Sequence, residues 1–210
     1  MFDRNTLILY LVGAISLNLT PGADTIYVLT RSLGQGRKAG IVSALGISTG
    51  CLVHIAAASL GLSALLATSA LAYDLVKYIG AAYLAYLGWK MLRSGGGLDA
   101  IRDLPEARLG QIYRQGMLTN VLNPKVALFF LAFLPQFVNP ARGSAALQFG
   151  ILGLLFDVTG TLWIVFLALI SGVIGDWLKR HPRFIRFQRR ATGILFLGLA
   201  ARLALTRRTA

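Results

Sequence analysis

Apolar positions along this chain run on for far longer than the alternating pattern of a surface helix allows. From residue 39 to 73 there is no Asp, Glu, Lys or Arg. At about 1.5 Å per residue that run overshoots a bilayer core of roughly 30 Å, so it turns back once, near Thr68 and Ser69. Similar apolar runs cover residues 5–30, 114–137, 145–174 and 191–206. The pattern predicts six spans, at about 5–30, 40–66, 71–92, 114–137, 145–174 and 191–206. The last is the weakest, being short and interrupted by Arg202, which snorkels from near its end.

Polar and basic residues collect between the spans. Arg31, Arg37 and Lys38, with Gly34 and Gly36, read as a short basic turn after span 1. Residues 93–113 hold Gly95, Gly96, Gly97 and Pro105 among mixed charges and read as an inter-repeat loop, or equally as one carrying a short surface helix. In the segment 176–190, six basic residues mix with Trp177, Phe184, Ile185 and Phe187, a composition suited to a helix lying in the membrane surface. The turns after spans 1, 3 and 5 hold three, four and six basic residues, against none and one (Arg142) after spans 2 and 4. By the excess of Lys and Arg on the cytoplasmic side, the odd-numbered turns are cytoplasmic and both termini external. The Arg207-Arg208 tail argues mildly the other way. The N-terminus lacks a basic leader region and is read as an uncleaved first span.

Two spans carry a break. Pro21 removes its own N–H as a donor and crowds the carbonyl four residues back, that of Leu17, while Gly22 loosens the backbone further. Pro124 does the same in span 4. At membrane depth a freed carbonyl is tolerated only against protein or a wet cavity. Asp24 lies beside the first break, and an ionisable group at that depth faces the bundle interior.

Composition agrees with this reading. Charged residues make up 14% and hydrophobic ones 56%, with mean hydropathy +0.66, well away from a soluble domain's roughly one quarter charged. A net charge of +13 would suggest nucleic acid in a soluble protein. Here the basic residues sit between apolar runs, where they set orientation and meet anionic lipid, so no nucleic acid is expected. The single cysteine, Cys51, excludes an intrachain disulfide, and two histidines and one cysteine make no convincing metal site. No P-loop, HExxH or nucleophile-elbow pattern stands in a supporting context, and no cofactor is expected.

The halves repeat weakly. A shift of 103 residues carries Pro21 onto Pro124, Gly50 onto Gly153 and His54 onto Asp157; a shift of 113 carries Lys77 onto Arg190 and Gly80 onto Gly193. A three-span unit is odd, so the second copy enters from the opposite side. The expected fold is thus an all-α membrane protein of two inverted three-helix repeats, 1–92 and 114–210, with broken helices 1 and 4, the plan of many secondary transporters.

Asn18-Leu-Thr-Pro-Gly-Ala-Asp24, the glycine-spaced second span, Lys77-Tyr-Ile-Gly-Ala-Ala-Tyr-Leu84 and Asn123-Pro-Lys125 resemble the LysE/RhtB translocators, bacterial exporters of lysine, homoserine and threonine. The resemblance covers nearly the whole chain, with Ala23 standing where many members have a second proline. It implies an inner-membrane exporter of an amino acid or related metabolite, driven by the proton gradient, and no enzyme. The cargo is left open.

Several residues are candidates for that work. Gly46, Gly50, His54 and Ala58 recur every four residues and share one face of span 2, where small residues admit a close helix. His54 on that face either shuttles protons or simply hydrogen-bonds between helices. Gly150, Gly153, Asp157 and Gly160 form a similar stripe in span 5, with Asp157 read as a coupling carboxylate ahead of a structural capping or pairing role. Pro21-Gly22 and Asn123-Pro124 each open a half-helix whose N–H groups suit an anion, with Lys125 adding charge beside the second. An amino acid offers a carboxylate for such an end and an ammonium for Asp24 or Asp157. Asn18 and Asn120 precede the breaks and are expected to hydrogen-bond freed backbone. Asp74 and Lys77 share a face near the outer end of span 3, with Arg190 the repeat-related position; gates or interfacial anchors both fit them. A membrane-embedded enzyme acting on a lipid-linked substrate and a passive channel are the competing readings. The first lacks a reactive cluster at an interface, and paired broken helices with a carboxylate weigh against the second.

Overall fold

The computed structural model describes residues 2–64, 70–93, 105–171 and 181–205. All regular structure among them is helical. Helix α1 (Arg4–Leu19) is capped by Asp3, whose side chain accepts from the Thr6 N–H. It ends where Pro21 denies it a further donor. Helix α2 (Ala23–Ala57) starts from Gly22 and passes into a π-helical turn, Ala58–Leu62. Next come α3 (Ala70–Arg93), α4 (Leu109–Val121) and α5 (Pro124–Leu128). A π-helical turn (Phe129–Phe133) and a 3-10 turn (Leu134–Phe137) prolong α5. Helix α6 (Ala145–Leu169) and helix α7 (Pro182–Leu205) complete the series.

Two of these segments, Ala23–Leu62 and α6, are each long and apolar enough to cross a membrane; α4 with the chain to Phe137 makes a third if that pair, bent by 42°, counts as one span. Helix α1 is apolar but has 16 residues, about 24 Å of rise. On α6 the exposed residues Leu147, Leu154, Val158, Leu162 and Phe166 fall seven and then four residues apart, one apolar stripe facing outward. In water such a face would be a liability, and in a bilayer it is the ordinary lipid contact.

Packing follows the glycine stripes. A side chain at Gly46 would come within 2.2 Å of the Tyr113 carbonyl oxygen, and one at Gly50 within 2.6 Å of that of Met117. The glycines therefore let α2 lie directly on the backbone of α4, as the four-residue spacing predicts. Gly88 of α3 and Gly193 of α7 face each other in the same way, each within 3 Å of the other's carbonyl if it carried a Cβ. The larger core cluster is aromatic: Tyr10, Phe129, Phe130, Phe133, Phe137, Phe149 and Phe156. A smaller aliphatic one, Val28, Ala44, Ile47, Ile164 and Ala168, lies between α2 and α6.

The structure corrects three boundaries. The basic turn expected over 31–38 is narrower than that: two helical stretches of α2 meet across a kink at Gly36, whose φ of 84° and ψ of 172° are not helical. Only glycine takes that left-handed conformation freely, and the bend absorbs what a turn would have done. Arg31 is buried rather than in a solvated turn. Its guanidinium donates to Gln35 Oε1 and the Pro105 carbonyl (2.7 and 2.8 Å) and to Gln115 Oε1 (2.8 Å). The loop expected to last to residue 113 ends at Leu109, where α4 begins. The basic segment does not form a surface helix of its own as far as it is described. Residues from Pro182 run without a break into the last expected span, since nothing between Arg190 and Ala191 interrupts helical propensity. The expected turn at Thr68-Ser69 and residues 176–180 lie outside the described residues.

Candidate functional site

The two proline breaks meet. At the first, the Thr20 N–H reaches back to the carbonyls of Ser16 (3.2 Å) and Leu17 (3.1 Å), closing α1 with a tightened last turn. Lys125 Nζ, from the start of α5, then donates to the carbonyls of Leu17 (2.8 Å) and Thr20 (2.7 Å). The carbonyl that Pro21 frees is thus held by a cation at the C-terminal, negative end of α1. At the second break the Asn123 N–H reaches the Asn120 carbonyl (2.9 Å), and His54 Nε2 lies 3.1 Å from the same oxygen. A carbonyl only accepts, so Nε2 is the protonated nitrogen. The His54 ring also stacks on Phe130, with centroids 5.7 Å apart.

Asp24, in the first turn of α2, joins the two. Its Oδ2 accepts from Asn120 Nδ2 and Asn123 Nδ2, each at 3.0 Å. Asn123 serves twice, because its Oδ1 also accepts from the Lys125 N–H and caps α5. Gly22, which starts α2, supplies no side-chain cap. Asp157 of α6 stands across the same space, accepting from Ser48 Oγ (2.8 Å) and Thr161 Oγ1 (3.4 Å). Asp24, Asn120, Asn123, Lys125, Asp157 and Thr161 line one cleft, with Cys51 and the apolar side chains of Leu17, Ile47, Val126, Phe156 and Ile164 on its walls.

The structure therefore brings Asn18, Gly22, Asp24, Asn123, Lys125 and Asp157 to one cleft, with Pro21 and Pro124 beside it and His54 behind the second break. Three expectations change. Lys125 does not stand free beside α5, because its ammonium is spent on α1. The N-terminus of α5 does not stand open for an anion, because Asn123 fills it. Neither Asn18 nor Asn120 uses its side chain to support its own break. Asn18 Nδ2 crosses to α6, donating to the Phe156 carbonyl and Thr159 Oγ1 (both 3.1 Å), where Gly160 leaves it room. The side chains of Asp74 and Lys77 lie outside those described, and Arg190 is exposed on α7.

Sequence reasoning missed Ser48, the hydroxyl on Asp157, which sits off the glycine face and carries no local signal. It also missed the buried polar line Tyr27-Arg31-Gln35. Tyr27 donates to the Ile112 carbonyl (2.8 Å), and Gln35 exchanges hydrogen bonds with the backbone of Ala107. Its four-residue spacing in an otherwise apolar run was the available signal.

A family model described as LysE type translocator matches residues 15–207, nearly the whole chain. The chain belongs to the LysE type translocators. The family moves solutes across membranes and performs no chemistry on them, which removes the enzyme reading. Among relatives of this translocator, an uncharacterized membrane protein, YrhP, of Bacillus subtilis is 33% identical over 96% of this chain and 100% of its own. The leucine efflux protein of Salmonella typhimurium is 32% identical, covering 93% of this chain and 92% of its own. The homoserine/homoserine lactone efflux protein of the same organism is 32% identical, over 94% and 95%. No solved structure matches this translocator.

Proposed function

We propose that this translocator exports an amino acid or a close derivative by proton antiport with alternating access, and that the cleft between the two proline breaks is its substrate site. The observation that carries the reading is Asp24. A carboxylate at the start of one half-helix, held by two asparagines of the other break, lines the cleft between the two breaks. The apolar residues on its walls suit an aliphatic cargo. The relatives' printed cargoes, leucine, homoserine and homoserine lactone, support the class.

Asn18, Pro21, Gly22, Asp24, Asn123, Pro124 and Lys125 form the binding site in this reading. Asp24, His54 and Asp157 are the groups that exchange protons as the cleft changes sides. Asp74, Lys77 and Arg190 serve as gates or interfacial anchors. The chain is a six-span, inverted-repeat protein of the bacterial inner membrane with both termini external. Burial of Arg31 leaves Arg37 and Lys38 as the exposed basic residues after the first span.

The test is efflux of a labelled amino-acid panel from cells expressing the protein, repeated in proteoliposomes with an imposed pH gradient. Export that rises with an inward proton gradient supports antiport, and export indifferent to it supports a passive channel. Absence of any exported amino acid sinks the reading. Cysteines introduced at Ser94 and Ser144 in a Cys51→Ala background should label from opposite sides, with position 94 cytoplasmic. Labelling from one side contradicts the topology.

A further inference from the structure

Two buried oxygens in the cleft accept no hydrogen bond from the protein: Asp24 Oδ1 and Asn120 Oδ1. Their side chains are joined through Asn120 Nδ2 and Asp24 Oδ2, 3.0 Å apart, so both belong to one wall. A buried acceptor without a donor costs stability, the more so where lipid replaces water. Two such acceptors on one hydrogen-bonded pair of side chains, one of them a carboxylate, match a guest that only donates and carries positive charge. An ammonium, with three N–H bonds and no lone pair, is that guest.

The protein's own ammonium does not fill this place. Lys125 Nζ is committed to the Leu17 and Thr20 carbonyls, and among the described residues the ion pair within 4 Å is that of Arg142 and Asp3. The second carboxylate is placed differently, since both oxygens of Asp157 already receive hydroxyl donors. Nor does the cleft offer an equal welcome to an anion. The first turn of α5 is capped by Asn123, and the first turn of α2 already carries the negative charge of Asp24.

We infer that the cleft recognises its cargo by the α-ammonium, held between Asp24 Oδ1 and Asn120 Oδ1, with the cargo's carboxylate a minor contributor. The inference rests on the proposed function only in taking the cleft as the substrate site. It divides labour between the carboxylates, Asp24 for the amine and Asp157 for another task. It also names the chemical class that fits: primary ammonium compounds with an aliphatic tail, whether or not they carry a carboxylate.

Three probes separate the two ends of an amino acid: leucine, 3-methylbutylamine (leucine without its carboxylate) and 4-methylpentanoate (leucine without its amine). Binding to the purified full chain is read from the concentration-dependent rise in Tm, since a ligand of the folded state raises it. The amine should bind with an apparent affinity within tenfold of leucine's, and the acid at least a hundredfold more weakly. Asp24→Asn should cost the amine at least tenfold, and Asn120→Ala should weaken it in the same direction, while Asp3→Asn, at the exposed cap of α1, leaves it within threefold. Equal binding of amine and acid, preference for the acid, or no binding of the amine overturns the inference. So does loss of amine binding in Asp157→Asn with Asp24→Asn unaffected. The comparison of probes on the unaltered chain decides the matter even where a variant fails to accumulate. An amino acid exported by a cleft that prefers the acid sinks this inference alone, whereas failure of the efflux panel with amine binding intact sinks the exporter reading alone.

Discussion

At Pro21 the carbonyl left without its helical donor is that of Leu17, and at Pro124 it is that of Asn120. Each accepts from the N–H three residues on, and each accepts again from a basic side chain belonging to the other half of the chain. There the likeness stops. Lys125 carries two carbonyls of the first break on one ammonium, whereas His54 carries one carbonyl of the second through a single ring nitrogen. The second break also caps itself, through Asn123, while the first has only Gly22. The first break thus depends on the second for its cation and for the donors on Asp24, and the second depends little on the first. Two helix breaks that look equivalent in sequence are unequal in how they are held.

That inequality makes the cost of removing each partner different. Lys125→Met should be the most damaging change, because it removes both hydrogen bonds that one ammonium gives to α1 and its end, and leaves Asp24 without its nearby cation. Removing one member of a buried charged group costs about 3–5 kcal/mol. The double variant Asp24→Asn/Lys125→Met should recover part of that loss in unfolding of the purified protein. A Lys125→Met cost no greater than that of His54→Phe would erase the distinction between the breaks.

Gly50→Ala should come next. Its methyl group would sit 2.6 Å from the Met117 carbonyl oxygen and 2.9 Å from Asn120 Cβ, so α4 must move and carry the second break with it. Overpacking of this kind costs about 1–3 kcal/mol. Hydrogen exchange should show the change in α4 with α1 unaffected; equal loosening of both would contradict the one-way dependence. His54→Phe should cost less, about 1 kcal/mol, since it retains the stack on Phe130 and removes one donor from a carbonyl that keeps the Asn123 N–H.

The smallest effect belongs to the far end of α1. The Thr6 backbone N–H and hydroxyl, with help from Arg142, hold the exposed Asp3 carboxyl down at about 2. A depressed carboxylate pKa stabilises the fold above the usual carboxylate range, and that contribution fades as pH falls through about 2. Between pH 5 and 8 Asp3 is ionised in both folded and unfolded states, so Asp3→Asn should leave the pH profile of Tm there unchanged. A profile altered by that variant would place coupling outside the cleft.

Much of this was legible in the sequence. Proline and glycine are strong punctuators, and both breaks fall where Pro21 and Pro124 put them. The four-residue glycine stripe located the face of α2 on which a neighbouring helix packs closely, though not which helix, because only a small side chain lets two backbones approach so closely. What the sequence hid is which distant group satisfies which freed atom. Lys125 reaches across more than a hundred positions to α1, and no local pattern states that its ammonium is spent there. Arg31 misled for a related reason: a basic residue beside glycines looks like a loop, and only the amides of Gln35 and Gln115 with the Pro105 carbonyl make its burial tolerable.

The central claim is that cargo passes through the cleft between the breaks, and Cys51, the chain's single cysteine, lies on its wall. The direct measurement is counterflow of the exported amino acid in proteoliposomes before and after alkylation with N-ethylmaleimide, with modification of Cys51 followed by mass spectrometry. Transport should fall in proportion to the fraction alkylated, cargo should slow the modification, and Cys51→Ala protein treated alike should keep its activity. Unchanged counterflow by fully alkylated protein would contradict the account.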